Sequence, residues 1–268
     1  MLKHIIKKVL PEPAVETLRY AHDTFVRIPD DIQAMTHPVR RDSIRRLQRF
    51  SNRYKGKRCF IIGNGPSLKN TDMSKLEHEH TFGMNRIFLM YHELGFKTSF
   101  FVSVNDLVIE QSAEQIQGLD LPRFVSWRSR EWLSPEENLF FLYTTYTGPK
   151  FARNAAYRLW EGATVTYTSL QLAYFMGFSE VILIGVDHNF QTKGKPNTTI
   201  TSTGDDPNHF HPQYFGKGFR WQLPDLETSE IAYAKAKQVF EADGRKVVDA
   251  TVGGKLKVFP KVEYESLF

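Results

Sequence analysis

Two histidines, His209 and His211, stand in the segment HFHPQYFGKG beside Tyr214 and Lys217. A histidine's intrinsic pKa suits it to take a proton from an attacking hydroxyl near neutral pH. Tyr214 can hydrogen-bond a phosphate oxygen of a leaving group, and Lys217 can offset its charge. Three readings of the histidines are open: a base, a metal ligand, or polar loop residues. The metal reading is poor, because an i, i+2 pair with no cysteine nearby is not zinc spacing. Neither a Ser-His-Asp order nor HExxH is present. The neighbouring acidic pair, Asp205–Asp206, lacks the strand context of a metal–nucleotide carboxylate motif.

A second group consists of polar residues placed after or within apolar runs. Asn64, Asn85 and Asn105 stand this way, and Asp187 follows EVILIGV. Asparagine donates and accepts at once, which suits sugar hydroxyls, ribose and a nucleobase edge. Each of them singly also fits a local turn cap. A third group is Gly63-Asn64-Gly65-Pro66-Ser67, directly after the apolar RCFII. Such a turn lets the backbone approach a phosphate. It is not GxGxxG, since Leu68 stands where the third glycine would be, and it is not GxxxxGK[ST]. A dinucleotide oxidoreductase and a P-loop kinase are therefore unsupported. A tight strand-to-helix turn without a ligand is the competing reading.

These residues need a frame to bring them together. RCFIIG, TSFFVSV (Thr98 to Val104), PRFVSW, EVILIGV and KVVDAT read as strands. FGMNRIF holds a further short apolar stretch. TYTSLQLAYFMG reads as a helix stopped by Gly177, and ETSEIAYAKAKQVFEADG as one opened by Thr228 or Ser229 and ended by Gly244. After Glu180, EVILIGV is continuously apolar, the kind of strand buried on both faces in a parallel sheet. Alternating strand and helix predicts an α/β fold, a doubly wound, mostly parallel Rossmann-like sheet. In such a sheet ligands sit beyond the carboxyl ends of the strands, where the glycine turn and the asparagines fall. The long polar stretch at about 188–226 is expected to form a lid.

The chain has 268 residues, 41% hydrophobic and 24% charged, ordinary for a folded protein. Its net charge of +5 is uneven: residues 1–58 carry +8 and the remainder −3. Leu2, Ile5, Ile6, Val9 and Leu10 fall at helical spacing, with Lys3, Lys7 and Lys8 off that face. This predicts a short basic amphipathic helix, either packed on the body or lying on an anionic membrane surface. THPVRRDSIRRLQRF predicts a second helix, with Thr36 as N-cap and Pro38 in its first turn. The organisation expected is a basic helical extension over 1–57 and a nucleotide-sugar-binding domain over 58–268. One cysteine, Cys59, reads as an inert core thiol; the chain is expected to be cytoplasmic, peripheral at the inner membrane face under the surface-helix reading. No nucleic-acid motif is present, and a homo-oligomer stays open.

FIIGNGPSLKNTDMSKL, FGMNRIF, FFVSVNDLVIEQ and TYTSLQLAYFMGFSEVILIGVDHNF, in that order from about Cys59 to Ala250, resemble the bacterial sialyltransferases that include the Campylobacter lipooligosaccharide enzymes. They also resemble the wider superfamily of motility accessory factors and MptE-like 6-hydroxymethylpterin pyrophosphokinases. The sialyltransferase resemblance implies a nucleotide-activated donor, a nonulosonic acid among the sugars, and a glycan or glycolipid acceptor. It implies donor contacts at Gly63, Asn64, Gly65, Ser67, Asn85 and Asn105, at Thr164 to Thr166 and at Asp187. It also implies a lid base at His209 or His211 with Tyr214 beside it, and no metal or other cofactor. The pyrophosphokinase branch implies magnesium carboxylates after the strands, for which VSVNDL offers Asp106. A third reading is a non-enzymatic component of a polysaccharide assembly system.

Overall fold

Short apolar runs build the centre of the chain, and their order places the polar residues that follow them. The computed structural model describes Pro11, residues 21–22 and residues 24–268. The chain falls into two compact units, 1–41 and 42–268. In the first, α1 (Ile28–Thr36) carries Pro29, Asp30 and Asp31 in its first turn, where a fixed φ and negative charge suit a helix start. α2 (Pro38–Leu47) follows at once. Its cap is His37, whose Nδ1 accepts from the Val39 N–H at 3.3 Å. The expected cap, Thr36, is the last residue of α1, and its hydroxyl donates back to the Ile32 carbonyl at 2.7 Å. The basic helix expected over residues 2–10 lies outside the described residues.

The second unit is an α/β body. Its parallel sheet contains β1 (Arg58–Ile62), β2 (Thr81–Met84), β3 (Phe100–Ser103), β4 (Arg123–Ser126), β5 (Leu139–Thr145), β6 (Arg158–Trp160) and β7 (Glu180–Ile184). A separate antiparallel pair, β8 (Thr199–Thr201) and β9 (Arg220–Gln222), comes next. β10 (Lys246–Asp249) returns to the large sheet, whose order is β10-β7-β1-β2-β3-β4-β5-β6. β5 and β6 extend the sheet beyond the strands anticipated from sequence. Successive strands are laid outward from β1 to β6; the chain then crosses back and sets β7 on the other flank of β1. The reversal makes the carboxyl ends of β1 and β7 a switch point, where open α/β sheets bind ligands.

The crossing is made by α4 (Val165–Met176); the short α3 (Asp106–Gln111) stands earlier, after β3. Every residue of α4 but Val165 is buried, so it is a core helix and not an amphipathic surface one. Gly177 ends it at φ 93°, as expected of a left-handed stop. The Asn52 and Tyr54 N–H groups donate to the Phe175 and Met176 carbonyls at 3.0 and 2.8 Å, satisfying the helix end. Tyr54 stacks on Phe178 at 4.9 Å, and Phe50 meets the edges of Phe124 and Phe140 at 5.5 and 5.3 Å. Residues 42–57 thus help close the core of the body. α5 (Leu226–Ala242) is capped by Asp225, whose carboxylate accepts from the Thr228 N–H at 3.0 Å. The helix begins earlier than Thr228 or Ser229 because that acid reaches the N3 amide. Cys59 is fully buried in β1, and burial pushes its thiol well up. Among the described residues, no helix is long and apolar enough to cross a membrane.

Candidate functional site

The glycine turn leaves β1 at the switch point, and its geometry is set by β7. Gly63 N–H donates to the Ile184 carbonyl at 2.7 Å and Gly65 N–H to the Gly185 carbonyl at 2.9 Å. Ser67 gives Asp187 two bonds, from N–H at 3.1 Å and from its hydroxyl at 2.6 Å. A Cβ on Gly63 would lie 2.1 Å from the Gly185 oxygen, and one on Gly65 would lie 1.8 Å from Asp187 Oδ2. These glycines let two strand ends touch. Their N–H groups point at β7 and are already engaged, so the turn offers them to no phosphate. Asp187 is half-buried; burial pushes its carboxyl above the usual range, against the lowering pull of both Ser67 bonds.

The three strand-end asparagines have different fates. Asn105 caps α3, its Oδ1 accepting from the Val108 N–H at 3.2 Å. Asn85 sits at φ 51° after β2, and its Oδ1 accepts from the Ser103 hydroxyl at 3.0 Å. Asn64, 9% exposed, keeps a buried Oδ1 with no partner. An orphaned buried acceptor is costly unless a ligand donor or water reaches it. This singles out Asn64 as the amide awaiting something.

The 188–226 segment, expected to form a lid, is folded. β8 and β9 form a hairpin in which Ile200 faces Trp221. Phe215 stacks on Phe219 and Trp221 at 5.0 and 5.2 Å, giving the hairpin its own apolar centre. The lid is tied to the sheet at several points. Phe210 N–H donates to the Asn64 carbonyl at 2.9 Å. The Arg86 guanidinium donates to the carbonyls of Gln213 and Tyr214 and lies 4.8 Å over Phe219. Gln111 and Arg220 exchange two bonds of 2.8 Å.

Within this lid the structure separates the two histidines. His209 Nδ1 lies 2.6 Å from Asp206 Oδ2, and its ring stacks on Tyr214 at 4.1 Å. Asp206 is buried and held in place by the N–H groups of Asn208 (2.8 Å) and Phe215 (3.0 Å). Burial raises its carboxyl, and the hydrogen bonds from His209 and these amides outweigh that, leaving it below the usual range. An ionised carboxylate on Nδ1 puts the proton there and presents Nε2 as an acceptor. Among the described residues Nε2 has no partner. Tyr214 is fully buried, with its hydroxyl against Asn85; burial pushes that phenol up, so it stays neutral. His211 instead faces the outside of the lid, its Nδ1 accepting from the Gln213 N–H at 3.1 Å.

Asn64, Asn85, His209 and Tyr214 are thus gathered over the ends of β1 and β2, next to Ser67 and Asp187. Thr164 and Thr166 open α4 and both bond the buried Tyr233 hydroxyl. Lys217 is exposed on the lid. Asp106 belongs to another group: Arg128 Nε donates to its Oδ2 at 2.7 Å, and Arg128 Nη2 to Glu161 Oε1 at 2.8 Å. Burial would lower the guanidinium, and the charges of Glu161 and Asp106 raise it further than that. Among the described residues, no group of three His, Cys, Asp or Glu side chains could hold a metal ion. Asp106, the carboxylate expected after β3 for magnesium, is instead paired with Arg128. Sequence reading missed Asp206 as a partner of His209, although the D-x-x-H spacing was visible. It also missed Arg86, Arg128 and Glu161, whose partners are distant in sequence.

A family model described as 6-hydroxymethylpterin diphosphokinase MptE-like matches residues 37–193, more than half of the chain. The chain belongs to the MptE-like family. The match ends before the His209 segment of the lid. Among solved structures, the MAf glycosyltransferase from Magnetospirillum magneticum AMB-1 is similar at a TM-score of 0.51 and 15% identity. That alignment covers 85% of this chain and 39% of the other, so this MptE-like chain spans well under half of that protein. A mammalian sialyltransferase, crystallised with Gal-beta-1-3GalNAc-ortho-nitrophenol, aligns at a TM-score of 0.35 and 14% identity over 87% and 86% of the two chains. No curated protein sequence matches. The likeness to the MAf structure carries the fold alone, a Rossmann-like parallel sheet.

Proposed function

We propose that this MptE-like protein is a glycosyltransferase, with His209 as the base. It moves a sugar, a nonulosonic acid on the sequence resemblance, from a nucleotide-activated donor to a hydroxyl of a glycan or lipid-linked acceptor. The observation that carries the reading is the buried Asp206 holding Nδ1 of His209 at 2.6 Å while Nε2 stays unpartnered. In the step, Nε2 takes the acceptor's hydroxyl proton. The acceptor oxygen bonds the anomeric carbon, and the bond from that carbon to the donor phosphate oxygen breaks. The electron pair leaves with the nucleotide phosphate. Asp206 stabilises the imidazolium that results. Asn64 Oδ1, orphaned beneath the lid, accepts from a donor hydroxyl or base amine. Lys217 meets the leaving phosphate, and no metal or other cofactor takes part.

Family membership favours a second reading, transfer of a diphosphate from ATP. It needs a metal site that the Asp106–Arg128 pair does not supply.

The test is nucleotide release from CMP-, UDP- and GDP-activated sugars, with wild type and His209→Gln compared across pH. The variant is expected to lose activity by about 10²–10⁴-fold at every pH tried. An unchanged rate would remove His209 from the chemistry.

A further inference from the structure

Against the outer wall of the lid lies a cleft of about 580 Å³, within the range of roughly 300–1,000 Å³ usual for small-molecule sites. Its floor is apolar: Leu68, Met73, Met90 and Phe210. Its rim carries Lys69, Asp72, Glu93 and His211. The wall joins it to the site described above. Leu68 lies over Gly185 at the switch point, where a Cβ on that glycine would come within 2.6 Å of its side chain. Phe210 is held to Asn64 by its N–H, and His209 and His211 flank it.

The rim has hydrogen-bonding capacity to offer. Among the described residues, Lys69 and Glu93 have no side-chain partner. His211 uses Nδ1 alone, and Asp72 uses Oδ1 alone, for Ser74. Donors and acceptors spaced around an apolar floor suit a sugar, whose hydroxyls point outward and whose C–H face is apolar. Two thioethers on the floor adapt to uneven shapes. One lysine against two carboxylates makes the rim net negative, which selects against an acidic ligand.

We propose that this cleft seats the acceptor, and that the acceptor unit bound there is a neutral or amino saccharide and not an acidic one. This rests on the transferase reading: Phe210, which lines the cleft, directly follows His209 in the chain.

The test uses the full chain with ¹³C-labelled methionine methyl groups. Met73 and Met90 report on the cleft, and the Tm of the same protein with and without CMP reports separately on nucleotide binding. The probes are lactose and chitobiose, with digalacturonate as the acidic control and CMP added separately. Lactose or chitobiose is expected to shift Met73 and Met90 saturably and digalacturonate to leave them in place. Glu93→Lys is expected to weaken the neutral probes and to tighten digalacturonate by about tenfold. Absence of any saturable shift of Met73 and Met90 up to the solubility of both neutral probes overturns the proposal, as does preference for digalacturonate by wild type. A Tm rise with CMP alongside that absence would leave the transferase reading standing. Saccharide shifts with no Tm rise from CMP would keep the cleft and count against the donor site.

Discussion

Gly65→Ala asks why the turn after β1 contains glycine. Gly65 lies at φ −70° and ψ 161°, a conformation alanine adopts freely, so no backbone strain enters. The added Cβ would lie 1.8 Å from Asp187 Oδ2 and 2.4 Å from its Cγ. One of them must move by more than an ångström, and the Asp187 carboxylate cannot do so while accepting from Ser67 at 3.1 and 2.6 Å. Losing two hydrogen bonds costs about 1 kcal/mol each, and forcing an extra carbon into a packed junction about 1–3 kcal/mol more. The sum is a loss of about 3–5 kcal/mol, which at this size lowers Tm by roughly 6–20 °C. Urea unfolding followed by far-UV circular dichroism, with no ligand present, measures it. The Asp187→Ala background should remove the larger part of the penalty, leaving that of the Gly185 carbonyl, which the Cβ would meet at 2.9 Å. A ligand-free loss below about 0.5 kcal/mol, inside the range of neutral surface changes, would refute the reasoning. It would mean that the glycine serves ligand approach and not the β7 contact.

Other outcomes follow from the same geometry. Asp187 has a raised folded pKa, so its contribution to stability is present below the unfolded value of about 3.9 and is lost as pH rises through the folded value. Asp187→Asn, which keeps an acceptor for the Ser67 N–H, should therefore flatten the fall in urea midpoint above pH ~4; parallel slopes for the two proteins would contradict this. Arg86→Ala strips the donor from the Gln213 and Tyr214 carbonyls, and hydrogen exchange should show the lid opening more easily by about 2–3 kcal/mol while β1 and β7 stay protected. Arg128→Met leaves Asp106 and Glu161 facing each other without their shared cation. Because all three side chains are partly exposed, the expected loss in urea unfolding is only about 1–3 kcal/mol.

The parts of the fold legible in sequence were those whose pattern is local. EVILI and RCFII are apolar after their charged first residues and became adjacent central strands, and Gly177 marked the end of α4 because only its left-handed φ was needed. β6, three residues long, carries too little pattern to be read, whereas LFFLYTT, apolar over residues 139–142 and preceded by the turn signal Ser134-Pro135, was legible and was missed. The lid's folded state was hidden because β8 and β9 are polar and mostly exposed; Phe215, Phe219 and Trp221 hold them. In the site, the strand-end asparagines were visible as a set. Which of them remains unsatisfied depends on Ser103, Val108 and Phe210, neighbours supplied by topology. The choice between His209 and His211 turned on which side chain meets Asp206, a contact fixed by the amides of Asn208 and Phe215.

The central claim is that a nucleotide binds beneath the lid against Asn64 without a metal. A thermal-shift screen against CMP, CDP, UDP, GDP and ATP, each with and without magnesium, tests it most directly, since a ligand that binds only the folded state raises Tm by mass action. The account predicts stabilisation by CMP or another pyrimidine or guanine nucleotide in the absence of magnesium, and its loss in Asn64→Leu. Stabilisation by ATP with magnesium alone, or by none of the nucleotides, would contradict it.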